Sequence, residues 1–435
     1  MTATVSDGLI NLVSGMGTAR DKGGQEVWSV AYRSDAEYSA VYKSSPLARR
    51  VVDMPAQDAV REWREWSGES ADVSAIEAEE KRHGLQGKLL KAQIFARLFG
   101  GAALLIGDGA RDLTTPIDPA RIGRGGLKYV TLLTMRDLTS GPLSTDLTSG
   151  RFGMPEHWTL NTATGAGVRL HPSRLAIFHG IEPLGQYDTG GYTGWGESVL
   201  LGGMESITRL EAVAKNTNSL VYEAKVDVIS IPDFTLNLRE GGDKYAAAVL
   251  QRVSLVATGK GINGTIIKDA LEGYDQKTAS FGGLDAIIDR FMQLVSAAHG
   301  IPMTLLFGDS ASGLNATGAG DARAYYDRVR VQQTMSVEPA MNILDECLIW
   351  SALGKRPADV FFNWRPLWQQ TAKERAEVGK LLVDALSALD AMDVISSEAI
   401  SQVAVSALTE SGAFSGLEAA VKEFGAPDDL DELAE

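Results

Sequence analysis

Two amphipathic stripes constrain this chain more than any other feature. Leu200, Met204, Ile207, Leu210, Ala214, Thr217 and Val221 recur at three- and four-residue steps, and so do Leu284, Ile287, Ile288, Phe291, Leu294, Val295 and Ala298. The first stripe predicts a helix over 199–223, about 37 Å long at about 1.5 Å per residue. The second predicts a helix over 281–299. Between them lies a mixed stretch: strand-like "VDVISI", a helix near "DKYAAAVLQRVSLVA" and strand-like "GTIIK". Both stripes are too broad to be buried by one two-helix hairpin, so the remainder calls for neighbouring copies. Head-to-tail contacts that close on themselves generate rings.

The second stripe leads into "FGDSASGLNATGAG" (307–320), a run of small residues with almost nothing to pack. Its glycines, Gly308, Gly313, Gly318 and Gly320, allow sharp bends, alternate shapes or close approach. A helical pattern resumes over about 319–352 with Pro339 inside it; an interior proline removes a hydrogen bond and predicts a kink.

Residues 1–25 are small and Gly-rich and are expected to be loose. From Val27 to about Arg97 the pattern is mostly helical, including "SPLARRVVDMPAQDAVREWREW" (45–66), with Pro46 suited to a first helical turn. Residues 100–180 change character, and "AALLIGDG", "LKYVTLLTM", "EHWTLNT" and "VRLHPSRLAIFHG" predict short strands. "DLTSG" occurs at 137–141 and 146–150 and is read as turn chemistry. "FFNWRPLW" (361–368) predicts a packing strand and turn, followed by two or three helices and the acidic end "APDDLDELAE". The fold class is α+β.

The chain carries 41 basic and 56 acidic residues, a net −15, which weighs against tight nonspecific nucleic-acid binding through neutralised phosphates. Such a surface suits DNA that slides past without being held. Cys347 is alone, which excludes an internal disulfide framework and points to a reducing compartment. The first residues lack a basic region followed by a long apolar core, and the apolar patch at 98–107 is too short to span a bilayer. The chain is expected to be soluble and intracellular when made, with no membrane partner.

Candidate catalytic motifs are poorly supported. Gly308-Asp309-Ser310 invites an esterase reading, but no histidine follows His299 to take the serine proton. "HWT" and "HPS" place His157 and His171 as a candidate acid–base pair of a phosphodiesterase. Only 14 residues separate them, as two neighbouring strands would, and strand-end histidines are the plainer account. Gly259-Lys260 lacks both the Ser or Thr and the leading glycine of a phosphate loop, whose places are held by Gly261 and Ser254. The five histidines and one cysteine show no metal-ligand spacing, so no metal or cofactor is expected. Asp428 and Asp429 fall in a tail that reads as solvated.

The order of motifs resembles portal proteins of tailed bacteriophages, especially a branch long described as a phage domain of unknown function. The resemblance rests on "SPLARRVVDMPAQDAVREW", "GWGESVL" (194–200), "AHGIPMTLLFG" with "GLNATGAGDARAYYDRVRVQQ", "WRPLWQQTAKERAE" (364–377) and "VISSEAI" (394–400). These span roughly residues 40–400. Some members of that branch carry a fused phosphodiesterase domain; the stretch beyond 370 is too short and too poor in histidine to supply one.

The resemblance implies a non-enzymatic dodecameric ring at one capsid vertex, present in the host cytoplasm during assembly and in the virion afterwards. Double-stranded DNA would be packaged and ejected through it, without sequence specificity. It implies contacts with the major capsid protein, the large terminase, head-completion or adaptor proteins and the tail. The portal-like plan assigns 1–25 to a flexible terminus, 26–198 to a mixed α/β wing, and 199–224 and 281–299 to a two-helix stem. It assigns 225–280 to a small α/β clip, 300–318 to the stem end and tunnel loop, 319–369 to a long kinked wing helix and closing strand, and 370–435 to a helical crown and acidic tail. Asp309, Ser310, Ser312, Asn315 and Thr317 would then face DNA in the channel. Two alternatives stand beside this reading: a phosphodiesterase using His157 and His171, and another, non-portal ring component of a phage-like particle.

Overall fold

The computed structural model describes residues 33–161, 167–183, 193–222, 225–230, 232–259, 273–278, 283–308, 318–368, 372–392 and 396–410, with 417, 420 and 421. Residues 1–25, "GTIIK", Gly261 and Lys260, Asp428 and Asp429, and the loop residues Asp309, Ser310, Ser312, Gly313, Asn315 and Thr317 lie outside these. The chain divides into two compact units, one of residues 1–60 and 67–361, the other of 61–66 and 362–435.

The first unit opens with α1 (Asp35–Ser44) and α2 (Pro46–Arg61). Ser34 caps α1 reciprocally with Glu37: the Glu37 N–H donates to the serine hydroxyl oxygen, and the Ser34 N–H donates to the glutamate. After strand β1 (Arg64–Ser67) come α3 (Ser70–His83) and α4 (Leu85–Phe99), joined by Gly84 in the left-handed region. Strand β2 (Gly101–Gly107) is buried along its whole length, followed by the short α5 (Pro119–Ile122) and β3 (Tyr129–Thr134). The strands β4 (Leu138–Ser140), β5 (Trp158–Leu160), β6 (Val168–Leu170) and β7 (Leu175–His179) follow. They form two small antiparallel sheets, β3-β2-β7 and β4-β5-β6. Leu105, Leu133, Leu138, Trp158, Leu170 and Trp195 make one core across both sheets, with the two indoles 4.6 Å apart. All four predicted strand stretches in 100–180 are strands in the structure, and the first "DLTSG" contains β4.

A helix α6 (Met204–Tyr222) leads to β8 (Lys225–Ser230), helix α7 (Phe234–Gly259), β9 (Gly273–Thr278) and α8 (Leu284–His299). The expected helical start at Val199 is five residues early: 199–203 is a turn, in which Gly202 and Gly203 supply no helix-favouring side chain. Strands β8 and β9 pair antiparallel, Lys225 opposite Thr278 and Ser230 opposite Gly273, so the insert leaves and returns side by side. The insert carries a helical segment before the expected one, and the two are separated at Gly242, which has φ 51°, so that the expected helix over "DKYAAAVLQRVSLVA" starts directly after the break. A short α9 (Met303–Leu306) precedes α10 (Ala319–Gln332), a π-helical turn at Gln333–Val337 and α11 (Glu338–Leu353). Pro339 stands in the first turn of α11, just after the change in hydrogen-bond pattern.

The second unit holds β1 paired with β10 (Phe361–Trp364), then α12 (Ala372–Ala391) and α13 (Ser397–Glu410). Here the helical expectation over 45–66 is corrected: α2 stops at Arg61 and "REWS" is a strand. The partner strand lies some three hundred residues away in sequence, and its aromatic residues settle the matter. The Arg64 side chain is buried, with its guanidinium 4.6 Å from the Phe362 ring centre and 4.8 Å from that of Trp66.

Candidate assembly surface

The helices α6 and α8 pack against each other. Their buried end is closely fitted. A Cβ added at Gly203 would fall 2.1 Å from the His299 ring, so only glycine allows the start of α6 and the end of α8 to meet there. Burial lowers the His299 pKa, against a backbone hydrogen bond involving Gly203 that raises it. Gly300, at φ 63°, ends α8, and its carbonyl accepts from the Arg328 guanidinium at 2.9 Å. Ser296 Oγ donates to the Ile301 carbonyl at 2.6 Å. Met204, Ile207, Leu210, Val295 and Leu306 are buried here.

Along its length the α8 stripe splits into two faces. Val295 is fully buried, and Leu284, Ile288 and Phe291 are half-buried on the inward side. Ile287 and Leu294, each 48% exposed, and Ala298 form a second line facing outward. On α6, Ala214 is exposed where the stripe continues. In α7 the exposure is broader: Phe234, Leu236, Leu238, Leu250 and Val253 are all between 40% and 70% exposed. The break at Gly242 separates Phe234, Leu236 and Leu238 from Leu250 and Val253.

The loop residues expected to face a channel lie outside the described residues, and of the glycines expected to give the loop its freedom, Gly308, Gly318 and Gly320 are described. Gly308 has φ 74° and Gly318 φ 61°, so both ends of 309–317 use a left-handed glycine. A Cβ at Gly318 would stand 3.3 Å from Thr304 Cγ2, which puts the far end of the loop close against α9. Gly320 lies in the first turn of α10. The helix after the loop is held firmly. Tyr325 donates its hydroxyl to Asp58 at 2.9 Å, and Gln333 Nε2 donates to the Ala59 carbonyl at 2.7 Å. Burial, then the Asp58 charge, raise the Tyr325 pKa. The sequence reading missed this anchoring, because Asp58 and Gln333 carry no local signal of their partnership.

His157 and His171 fall at neighbouring strand ends: Trp158 pairs with Leu170, which sets the two histidines opposite each other one step further. Each is engaged locally. The His171 Nδ1 accepts from the Ser173 N–H at 3.2 Å and lies 2.8 Å from its hydroxyl, capping a 3-10 turn at Pro172–Arg174. The His157 ring covers Gly141, where a Cβ would lie 2.5 Å from the ring. Burial, then Arg151 and Arg174, lower the His171 pKa.

A second constellation, Glu79, His83 and Ser351, is buried between α3 and α11. Ser351 donates its hydroxyl directly to Glu79 at 2.6 Å, while His83 Nε2 accepts from Arg82 at 2.8 Å. No imidazole stands between serine and carboxylate, so the serine is not activated as a nucleophile; the group ties α3 to α11. Among the described residues no group of histidine, cysteine or acidic side chains could hold a metal, and no helix is long and apolar enough to cross a membrane.

Residues 36–388 match the family model described as phage portal protein. The chain belongs to the phage portal protein family. Among curated proteins, the portal-family chain is 36% identical to "Anti-CBASS protein Acb1" of Caulobacter sp. (strain RHG1), a match covering 96% of this chain and 69% of that protein. It is 32% identical to the protein of the same name in Sphingomonas paeninsulae, over 97% of this chain and 68% of that protein. It is 27% identical to an uncharacterized protein of Haemophilus influenzae, over 91% of this chain and 86% of that one. Among solved structures, a chain from the neck of a native GTA particle computed with C12 symmetry matches with a TM-score of 0.50 at 14% identity, over 92% of this chain and 99% of that one. A chain from the neck of an empty GTA particle computed with C6 symmetry gives the same score and identity, over 86% and 94%. At that identity the likeness is one of fold: mixed α/β, rich in helix, with small sheets.

Proposed function

We propose that this portal-family chain assembles head to tail into a closed ring, twelvefold in particles, that serves at one capsid vertex as the conduit for double-stranded DNA. The observation that carries this reading is the outward line of Ile287, Leu294 and Ala298 on α8, which the α6–α8 pair leaves uncovered. In a ring that line meets the neighbouring copy. The C12 symmetry of the particle neck to which one structural neighbour belongs supports the subunit number. In this reading α6 and α8 are the stem, the β8–α7–β9 insert is the clip, and residues 26–198 together with α10 and α11 form the wing. The stretch from 370 is the crown.

The exposed apolar side chains of α7 would lie at the narrow end and dock the packaging motor, and later an adaptor and the tail. The wing would contact the major capsid protein. The role is structural, in the virion and before that in the host cytoplasm. Twelve chains at −15 each total about −180, a field that repels a phosphate backbone and favours passage over capture.

Residues 309–317, held between Gly308 and Gly318, form the tunnel loop in this reading. Changing Asn315 and Thr317 together to lysine would leave ring assembly intact and slow DNA translocation, most severely at low salt. Unchanged packaging and ejection would remove the loop from the channel. Electron microscopy of the purified chain tests the reading as a whole. Rings with a central hole are expected, and a stable monomer at micromolar concentration under all salt conditions would overturn it.

A further inference from the structure

A cleft of about 680 Å³ opens between the second sheet, strand β7 and the helices α4 and α11. Its polar side chains lack the partners that burial ordinarily demands. Trp158 is 1% exposed, yet its Nε1, a group that can only donate, meets no acceptor. His179 Nδ1 is likewise buried and unpartnered. Arg97 and Arg151 also line the cleft and donate only to main-chain carbonyls, Arg97 to Val51 and Val52, Arg151 to Pro155. Among the described residues neither guanidinium pairs with a carboxylate; Glu182, the acidic residue on the lining, is exposed and acts on His179.

Burial pushes the Arg97 pKa down to about 10 and lowers that of Arg151, so both charges are held where water is scarce. Arg151 and the free indole N–H are neighbours. A Cβ at Gly194 would fall 2.7 Å from the Pro155 ring and 2.8 Å from the Trp158 ring, and Pro155 is the residue whose carbonyl holds Arg151. Buried charges are ordinarily paired, and this pair of cations stands on a chain of net −15. The cleft is therefore complementary to an acidic group.

The backbone of β7 tells what carries that group. Among the described residues no strand lies along the outer side of β7 in the β3-β2-β7 sheet. The Gly180 N–H donates to the Gly100 carbonyl at 3.1 Å, and the pairs Phe178–Ala102 and Ala176–Leu104 are in phase with it. The main-chain groups of Ala176 and Phe178 therefore face β2, and those of Ile177 and His179 face away. Ile181, in the same outward phase, exchanges both its backbone hydrogen bonds with Glu197, at 2.8 and 3.0 Å. Ile177 and His179, which line the cleft, have no such partner among the described residues. A small anion would leave their carbonyls unmet. An extended peptide added to the edge meets both N–H and C=O, and its alternate side chains reach the apolar wall of Pro339, Ala340 and Ile343.

We propose that this cleft takes an extended, apolar segment of a partner protein that carries one acidic residue. The segment adds as a strand on β7, bonded to the main chain of Ile177 and His179, and its carboxylate accepts from Arg151 and the Trp158 N–H. The site lies wholly within one chain and does not depend on ring assembly.

Fluorescence anisotropy and residue-resolved hydrogen exchange on the full chain test this. The probes are peptides of about eight residues, long enough to run the length of β7, in which valine and threonine alternate and one glutamate is moved through the positions. The best of them is expected to bind about tenfold more tightly than its glutamine counterpart. It is expected to slow exchange at Ile177 and His179 about tenfold, while Ala176 and Phe178, bonded to β2, keep their rates. Arg151→Gln, and Trp158→Phe, which keeps a ring in the core, are each expected to weaken that peptide about fivefold with an unchanged circular dichroism spectrum. No binding by any probe at millimolar concentration would overturn the proposal, as would binding that leaves Ile177 and His179 unprotected. Equal affinity for the glutamine peptide, or unchanged affinity in both variants, would overturn the acidic contact. Protection of Ile177 and His179 without peptide would give the edge to this chain or a neighbouring copy and overturn the partner assignment.

Discussion

The buried end of the α6–α8 pair and the outward face of α8 are built from similar residues and behave differently. At the His299 end, Ile207, Leu210 and Val295 are buried, Gly203 admits the imidazole, and Gly300 is clasped by Arg328. On the outward face of α8, Ile287 and Leu294 stand half in solvent, and in the insert Leu250 on α7 is 70% exposed. The first is finished within one chain. The second has the composition of a core without the neighbours of one. Apolar periodicity alone thus identifies a helix and leaves open which of its faces the chain itself will cover.

Disturbing the finished end has the largest expected effect on stability. Gly203→Val forces side-chain atoms into the His299 ring and is expected to cost about 1–3 kcal/mol, read as a lower denaturation midpoint. A midpoint equal to wild type would mean the close approach is not needed. Serine at Leu250, on the unfinished side, is expected to change monomer stability by less than about 0.5 kcal/mol, because little of that side chain is buried in one chain. Its midpoint should stay with wild type while that of Gly203→Val falls.

Acid sharpens the same contrast by a smaller amount. His83, His179 and His299 are all held below the ordinary imidazole range, in each case chiefly by burial. Their folded forms stay neutral where the unfolded chain takes up protons, so their contribution is complete above about pH 6.5 and is lost as pH falls below it. Thermal unfolding followed between pH 7.5 and 5.5 should show a falling midpoint. His299→Gln should flatten the slope in part, by removing the imidazole at the finished end.

The stripes were legible because helical periodicity is local. So were the strands of 100–180, where β-branched and aromatic residues alternate between Gly and Pro. "REWS" was not legible as a strand: its neighbours read as helix, and only pairing with Phe361–Trp364 decides otherwise. The π-helical turn at Gln333–Val337 was also invisible, and Pro339, from which a kink was expected, stands in the first helical turn just beyond it. The division of the α8 stripe needed the position of α6. No residue in "LDAIIDRFMQLVSAAH" announces that Val295 is covered and Leu294 is not.

The account rests on the outward line of α8 being covered by a second copy. Sedimentation of wild type beside the Ile287→Asp, Leu294→Asp double variant at equal micromolar concentration tests this most directly. Wild type should sediment as a ring, and the variant as a folded 46.5 kDa chain with an unchanged circular dichroism spectrum. Rings of the same size from the double variant would contradict it.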